Sequence, residues 1–441
     1  MNLKNILINK NVAIKDAMRA IDRGAFGIAV VAEENKKLLG IVTDSDVRRA
    51  ILKGVNVEEK VANIMNTNPL FIKNISEVKS LKVENMVSGC MRIPIVDEKG
   101  RIKDIISVFR DGKVSKKKER AVNSVLVIGG AGYLGSILCK KLLDEGYTVK
   151  AMDRLLFGPS GIEGLRKNKK FTFLKGDIRN VSDIIRAIRD VDTVIHLAAI
   201  VGDPACDKDP KETLEVNYFA TKNIIEVCKY FQINRFIFAS TCSVYGQNKN
   251  PNEKLDEKSE ITPGSLYAES KWKCEMAIAE AVDENFSPTI LRMGTLYGYS
   301  PNMRFDLSIN VLTAKAILDR EITILNGEQW RPFLHLEDAV EAYLKCLEAP
   351  FERIKGKTFN VVSENYKIID VARIIKSIIP KSEIKIIKGE RDKRDYNASF
   401  EKISKELGFK PLFKIQDGVS EIKNAFDNKL LNNYKNKKYR T

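Results

Sequence analysis

The chain lacks several features that would have decided its class at once. No apolar run approaches the roughly 20 residues a membrane-spanning helix needs. The opening MNLKNILINK has no apolar stretch of the kind a secretory signal carries. The cysteines, Cys90, Cys139, Cys206, Cys228, Cys242, Cys274 and Cys346, are scattered and odd in number. No two have the spacing of a zinc knuckle or a redox pair, so they are expected to be buried thiols with no metal bound. No basic run is interleaved with aromatics as a single-strand nucleic-acid platform requires. The net charge of +16, 74 basic residues against 58 acidic, therefore reads as a lysine-rich solvated surface that attracts anions such as nucleotides. The expectation is a cytoplasmic protein with neither nucleic-acid nor membrane partners.

The composition is that of a globular chain, 44% hydrophobic and 30% charged, and 441 residues exceed what one core serves well, so two or three domains are expected. Residues 1–112 contain a degenerate repeat. Residues 26–43, FGIAVVAEENKKLLGIVT, read as strand, turn, strand, and residues 91–107, MRIPIVDEKGRIKDIIS, read the same way about 64 positions on. A helical pattern precedes each, at 14–23 and 76–88. Neither half is long enough to bury both faces, so the two are expected to pair.

Here GIVTDSDVRRAI (40–51) resembles the signature of CBS domains, and IMNTNP (64–69) resembles the start of the second member of a CBS pair. That resemblance implies an adenine nucleotide (AMP, ADP or ATP) between the modules. A Thr or Ser and an Asp three residues later contact phosphate and ribose in such pairs, and Thr43 and Asp46 match. In the second half Ser107 is followed by Arg110 instead, with Asp111 one place late. The alternative is a docking module in which Asp46 caps a helix over 47–52. Residues 113–122 are polar and charged and read as a linker.

From Val125 strands and helices alternate, the mark of a doubly wound parallel sheet. VLVIGGAGYLG (125–135) is a buried strand, a turn with Gly129, Gly132 and Gly135, and the start of a helix. Such a turn lets backbone approach a pyrophosphate at a helix N-terminus. The second strand ends in Asp153, 18 positions after Gly135, where an acid accepts bonds from the adenosine ribose and repels a 2′-phosphate. The reading is dinucleotide binding, with NAD favoured over NADP.

STCSVYG (240–246) follows the fifth strand at its ligand-binding end, and YAESK (267–271) opens a helix expected to run to about residue 285. The four-residue spacing puts Tyr267 and Lys271 on one helix face, where the ammonium favours the phenolate. Thr241 would orient a sugar hydroxyl. This is general acid–base chemistry coupled to hydride transfer.

Together these stretches resemble the extended short-chain dehydrogenase/reductase family, in particular its nucleotide-sugar epimerases and dehydratases, over residues 123–425. The fold so implied is α/β: a Rossmann-type doubly wound parallel sheet with a smaller, interrupted C-terminal substrate domain, preceded by the α+β CBS pair. Residues 426–441 read as a basic tail. The resemblance implies that Gly129, Gly132, Tyr133, Leu134, Gly135, Asp153, Asp177, Ile178, Leu197, Ala198, Ala199, Tyr267 and Lys271 hold NAD. It makes Thr241, Tyr267 and Lys271 the catalytic set. Thr295, Asn310, Arg331 and Arg394 would join Thr241 in contacting a nucleotide-diphosphate sugar, the arginines through phosphate. His196 and His335 are expected in strand-end packing or backbone bonds. A homodimer through two helices of the sheet domain is also implied.

A dehydratase of this family usually places an acid beside the Ser/Thr, where this chain has Cys242 and Ser243. Neither drives elimination at neutral pH. The leading expectation is thus a 4-epimerase working through a transient keto-sugar. A dehydratase or oxidoreductase on the same substrates is the alternative, and a catalytically silent nucleotide-binding regulator is the alternative of another class.

Overall fold

A computed structural model describes residues 6–24, 27–74, 76–77, 90–109, 114–115, 122–231, 233–248, 250, 253–283, 286–389, 394–436 and 439. The chain divides into two compact units, Met1–Ala121 and Val122–Thr441.

In the first unit, Ile14, Ala17 and Ile21 recur at helical spacing on the helix Ile14–Gly24 and cluster with Ala29, Val31 and Val42 of a hairpin. The hairpin pairs Ile28–Ala32 with Leu38–Thr43, and Cys90–Val96 pairs with Ile102–Phe109 in the same antiparallel way 64 positions later. The two turns join, since Leu38 N–H donates to Gly100 and Ile102 N–H donates to Lys36 at 3.0 and 2.9 Å. Most of the helix expected at 76–88, most of the linker and the Arg110–Asp111 pair lie outside the described residues, while Val114–Ser115, expected as linker, pairs as a short strand with Ile102–Phe109.

The second unit is built on a seven-stranded, all-parallel sheet: β1 (Ser124–Ile128), β2 (Thr148–Asp153), β3 (Phe171–Lys175), β4 (Thr193–His196), β5 (Arg235–Thr241), β6 (Thr289–Met293) and β7 (Thr358–Val361). Across the sheet they run β3-β2-β1-β4-β5-β6-β7, so the order reverses between β1 and β4. Strand β1 explains the layering. Val125 and Val127 enter one core with the helices Tyr133–Asp144 and Leu336–Glu348, while Leu126 and Ile128 enter another with Ala220–Tyr230. A strand buried on both faces needs no polar alternation. Ligands of such sheets bind at the reversal, outside the strands' carboxyl ends.

A smaller layer stands over that end. It holds the strands Thr295–Tyr297, Trp330–His335 and Glu364–Lys367, the parallel pair Glu321–Leu325 with Glu383–Ile387, and the helices Ser308–Leu318, Ile368–Ile378 and Ile415–Asp427. Leu336–Glu348 and β7 return to the main sheet in between, so the substrate layer is interrupted.

The stretch after the last helix departs from the expected basic tail. Leu431, Tyr434 and Tyr439 are buried in the main core, because apolar and aromatic side chains punctuate its lysines. Among the described residues no helix is long and apolar enough to cross a membrane. Cys139, Cys206, Cys228, Cys242, Cys274 and Cys346 are free and buried.

Candidate active site

A cavity of about 1310 Å³ opens where the strand order reverses, large enough for a dinucleotide and a second nucleotide together. Its floor is the glycine turn. Gly129 has φ +88°, and a side chain there would meet the Ala198 backbone. A Cβ on Gly135 would fall 2.1 Å from the Gly129 carbonyl, so only glycine lets the helix Tyr133–Asp144 start this close to the turn. Gly132 is the helix N-cap and offers no side chain to its amides, which leaves them to an anion. The Leu134 backbone belongs to the same first turn.

At the ribose end, the Asp153 carboxylate accepts from the amides of Ala131 (3.1 Å) and Leu155 (2.8 Å). Burial raises its pKa, and those two bonds and Arg154 pull it back. Arg154, the group that would welcome a 2′-phosphate, is held by Glu212 at 3.1 Å. Asp153, Asp177 and Glu212 all line this end, which suits free ribose hydroxyls. Asp177 is paired with Arg179 at 2.6 Å, and Ile178, Leu197, Ala198 and Ala199 complete the wall. The residues present fit an NAD.

At the chemical end, Thr241 closes β5 and caps the short turn Cys242–Tyr245, accepting from Ser243 N–H at 3.1 Å. Ser265 caps the helix Leu266–Glu280, whose second residue is Tyr267. Tyr267 and Thr241 both line the cavity here. Lys271 is 3% exposed, and its ammonium donates to the Ala239 carbonyl at 2.8 Å. One expectation is corrected here. Burial pushes the Tyr267 phenol well up, and Arg304, not Lys271, is the cation that most opposes it. Lys271 is itself drawn down by burial.

Thr295, Arg331 and Arg394 line the cavity, whereas Asn310 does not. Asn310 is fully buried, donating to the Tyr133 hydroxyl and the Arg304 carbonyl, each at 2.9 Å. A buried amide must satisfy its own bonds, so Asn310 is scaffold, and its assignment as a substrate contact is corrected. Tyr133 donates its hydroxyl to Gly298 at 2.7 Å, so only its backbone is left for a cofactor. Arg331 donates to the carbonyls of Trp330 and Arg394, and Arg394 pairs with Asp203 at 3.0 Å.

His196 packs against Phe236 and Phe238. Thr221 gives its proton to the Asn217 carbonyl, so His196 Nε2–H donates to Thr221 at 3.0 Å. His335 caps the helix Leu336–Glu348 and stacks on Phe413. In the first unit, Thr43 and Asp46 form a reciprocal capping box, with Asp46 N–H donating to Thr43 and Thr43 N–H to Asp46. That helix is Asp44–Leu52, three residues earlier than the expected start at 47.

Sequence reasoning missed several cavity residues. Arg304, paired with Asp306, and Tyr396, bonded to Ser243 at 3.1 Å, have no local signature. Behind the cavity wall, Asn217 sits in a π-helical turn, Glu215–Phe219, and clasps both polar groups of Ile200, which does line the cavity, while donating to Ser270. Among the described residues no cluster is placed to hold a metal ion.

Comparison with known proteins agrees with this geometry. A CBS domain model matches residues 1–53. The chain is 30% identical over 267 residues to an uncharacterized UDP-glucose epimerase of Bacillus subtilis, covering 58% of this chain and 81% of that protein. It is 28% identical over 325 residues to protein CapI of Staphylococcus aureus, covering 68% and 96%. The crystal structure of UDP-glucuronic acid 4-epimerase from Bacillus cereus, in complex with UDP-glucuronic acid and NAD, is similar with a TM-score of 0.62 and 28% identity, over 69% of this chain and 99% of that one. The model of the NAD dependent epimerase/dehydratase family matches residues 125–362, more than half of the chain, and the protein belongs to that family.

Proposed function

We propose that the protein is a nucleotide-sugar 4-epimerase with a resident NAD. One observation carries the choice of epimerase over dehydratase. The two positions after Thr241 hold a fully buried thiol, Cys242, bonded to the Arg292 carbonyl, and a hydroxyl, Ser243, tied to Thr241 and Tyr396. Neither protonates a departing hydroxyl. Asp203 and Asp306 line the cavity, but each is paired with an arginine.

Gly129, Gly132 and Gly135 hold the pyrophosphate, Asp153 the ribose, and Lys271 the nicotinamide end. Bound NAD supplies the hydride acceptor, and later the donor, together with a positive charge beside Tyr267. Thr241 orients the sugar's 4-hydroxyl, Tyr267 takes its proton, and Arg331 and Arg394 steady the diphosphate. Tyr267 keeps the proton while the keto-sugar turns, then returns it to the opposite epimer. No carbon-bound hydrogen is exchanged with solvent. The likeness to epimerases of UDP-glucose and UDP-glucuronic acid supports this reading.

The test is incubation with a panel of nucleotide sugars in deuterated water, followed by NMR. The expected product is the 4-epimer without solvent deuterium. Deuterium at carbon 5 or 6 would replace this reading by elimination or 3,5-epimerisation.

The protein is further proposed to be a homodimer. Phe219 and Tyr230 lie 11 positions apart, on one helical stripe, and are 54% and 83% exposed. Sedimentation at twice the chain mass is expected, and a monomer would remove this proposal.

A further inference from the structure

The stretch after the last helix, beginning at residue 428, is rich in Lys and Asn and looks built for solvent. Three side chains contradict that. Leu431, Tyr434 and Tyr439 are 5%, 3% and 9% exposed. The two tyrosines share a target, Phe305, in the loop 302–307 that walls the cavity. The ring of Tyr434 meets Phe305 edge-on at 6.1 Å, and that of Tyr439 does so at 5.3 Å. The Phe305 amide donates to the Tyr439 carbonyl at 3.1 Å. Tyr434 anchors the stretch from the far side by donating its hydroxyl to Asp319, at the end of the helix Ser308–Leu318, and Lys435 pairs with the same carboxylate at 3.4 Å.

Phe305 stands between two functional neighbours. Arg304 lies in the cavity with Tyr267, and Asp306 holds the Arg304 guanidinium through its Nε at 3.0 Å. Asn310 grips the Arg304 carbonyl from within the core, so one side of the loop is fixed by its own domain. The other side is fixed by the stretch beyond the last helix. Tyr439 also lines the cavity itself.

We propose that Tyr439 is a positioning residue of the active site, strapping the Arg304–Phe305–Asp306 loop so that the guanidinium stands beside Tyr267. This deepens the epimerase reading and rests on it for turnover, but not for loop order.

The test compares Tyr439→Ala, Tyr439→Phe and a chain ending at Asn428. Amide exchange at Phe305, NAD content and turnover of UDP-glucose and UDP-glucuronic acid are measured. In Tyr439→Ala and the shortened chain, Phe305 exchange is expected to quicken roughly tenfold or more. A misplaced loop is expected to cut kcat/KM by about 100-fold with NAD content unchanged. The Tyr439→Phe variant, which keeps the ring and the carbonyl, is expected to restore both. Unaltered Phe305 exchange in Tyr439→Ala would overturn the proposal. So would a loss of NAD and of melting temperature in step with turnover, which would mark a general staple of the fold. If the parent chain epimerises no sugar of the panel, the 4-epimerase reading fails, while Phe305 exchange still decides for or against the strap.

Discussion

Arg292 lays its guanidinium along both carboxylate oxygens of Glu275, at 2.7 to 3.1 Å, with neither side chain more than 5% exposed. Ser240 donates to the same carboxylate, and Arg292 donates onward to the Tyr245 hydroxyl at 2.8 Å. The pair thus sets the layer on which Thr241 rests. Glu275→Gln, which leaves Arg292 buried without its counter-charge, is expected to cost about 3–5 kcal/mol in urea unfolding. Replacing both, as Glu275→Leu with Arg292→Met, is expected to cost much less.

Tyr267→Phe is expected to lower turnover by roughly 10²–10⁴-fold. The NAD released on denaturation should equal that of the parent chain. An unchanged rate would remove Tyr267 as the base.

Cofactor choice is written in the partners of Arg154. Releasing it from its nearer partner by Glu212→Ala, and removing the ribose carboxylate by Asp153→Ser, is expected to shift relative affinity toward NADP by roughly tenfold or more, since each unit of 1.4 kcal/mol is tenfold. Calorimetric titration of cofactor-stripped protein with each dinucleotide checks this.

His196 makes a pH prediction. Burial, with the charge of Lys271 adding to it, draws its imidazole down to about 3. The unfolded imidazole titrates near 6.5. Between these values the unfolded chain binds a proton that the folded chain does not. This contribution is therefore complete above about pH 6.5 and is lost as pH falls, at about 1.4 kcal/mol per unit. The His196→Gln variant should lose that part of the acid slope in denaturant titrations at pH 4 to 7.

The candidate site was legible where chemistry is local. Gly129, Gly132 and Gly135 announce themselves because a strand-to-helix turn is a contiguous event. Asp153 can be placed from the length of one helix, and Tyr267 with Lys271 from one helical turn. Arg304 and Tyr396 reach the site, and Asn217 braces Ile200 behind it, through packing between distant segments, which no spacing rule encodes. Asn310 misled because a polar residue amid apolar ones reads equally as a ligand contact or as a buried bracket. The last stretch misled because lysine count outweighed three anchors.

For the first unit, millimolar AMP, ADP or ATP is expected to raise the melting temperature of the full chain, by mass action at about 2.7 kcal/mol for ligand at 100 times Kd. Thr43→Val should abolish the shift. No shift with any of the three would leave Thr43 and Asp46 as a helix cap alone.

The π-helical turn at Glu215–Phe219 makes this helix a place where residues are counted. One position more than an α-turn needs is what turns Asn217 toward Ile200 and Ser270. Deleting one residue there would let the turn relax to α geometry with the segments Pro210–Leu214 and Ala220–Tyr230 still in phase, because a π-turn takes up one extra residue, but it would remove the bulge that aims Asn217. Surface loops absorb changes of length and drift apart among relatives. Here a single-residue gap would release Asn217 from Ile200, in the loop after β4, and from Ser270, on the helix that carries Tyr267, so this helix is expected to keep its length while its side chains change.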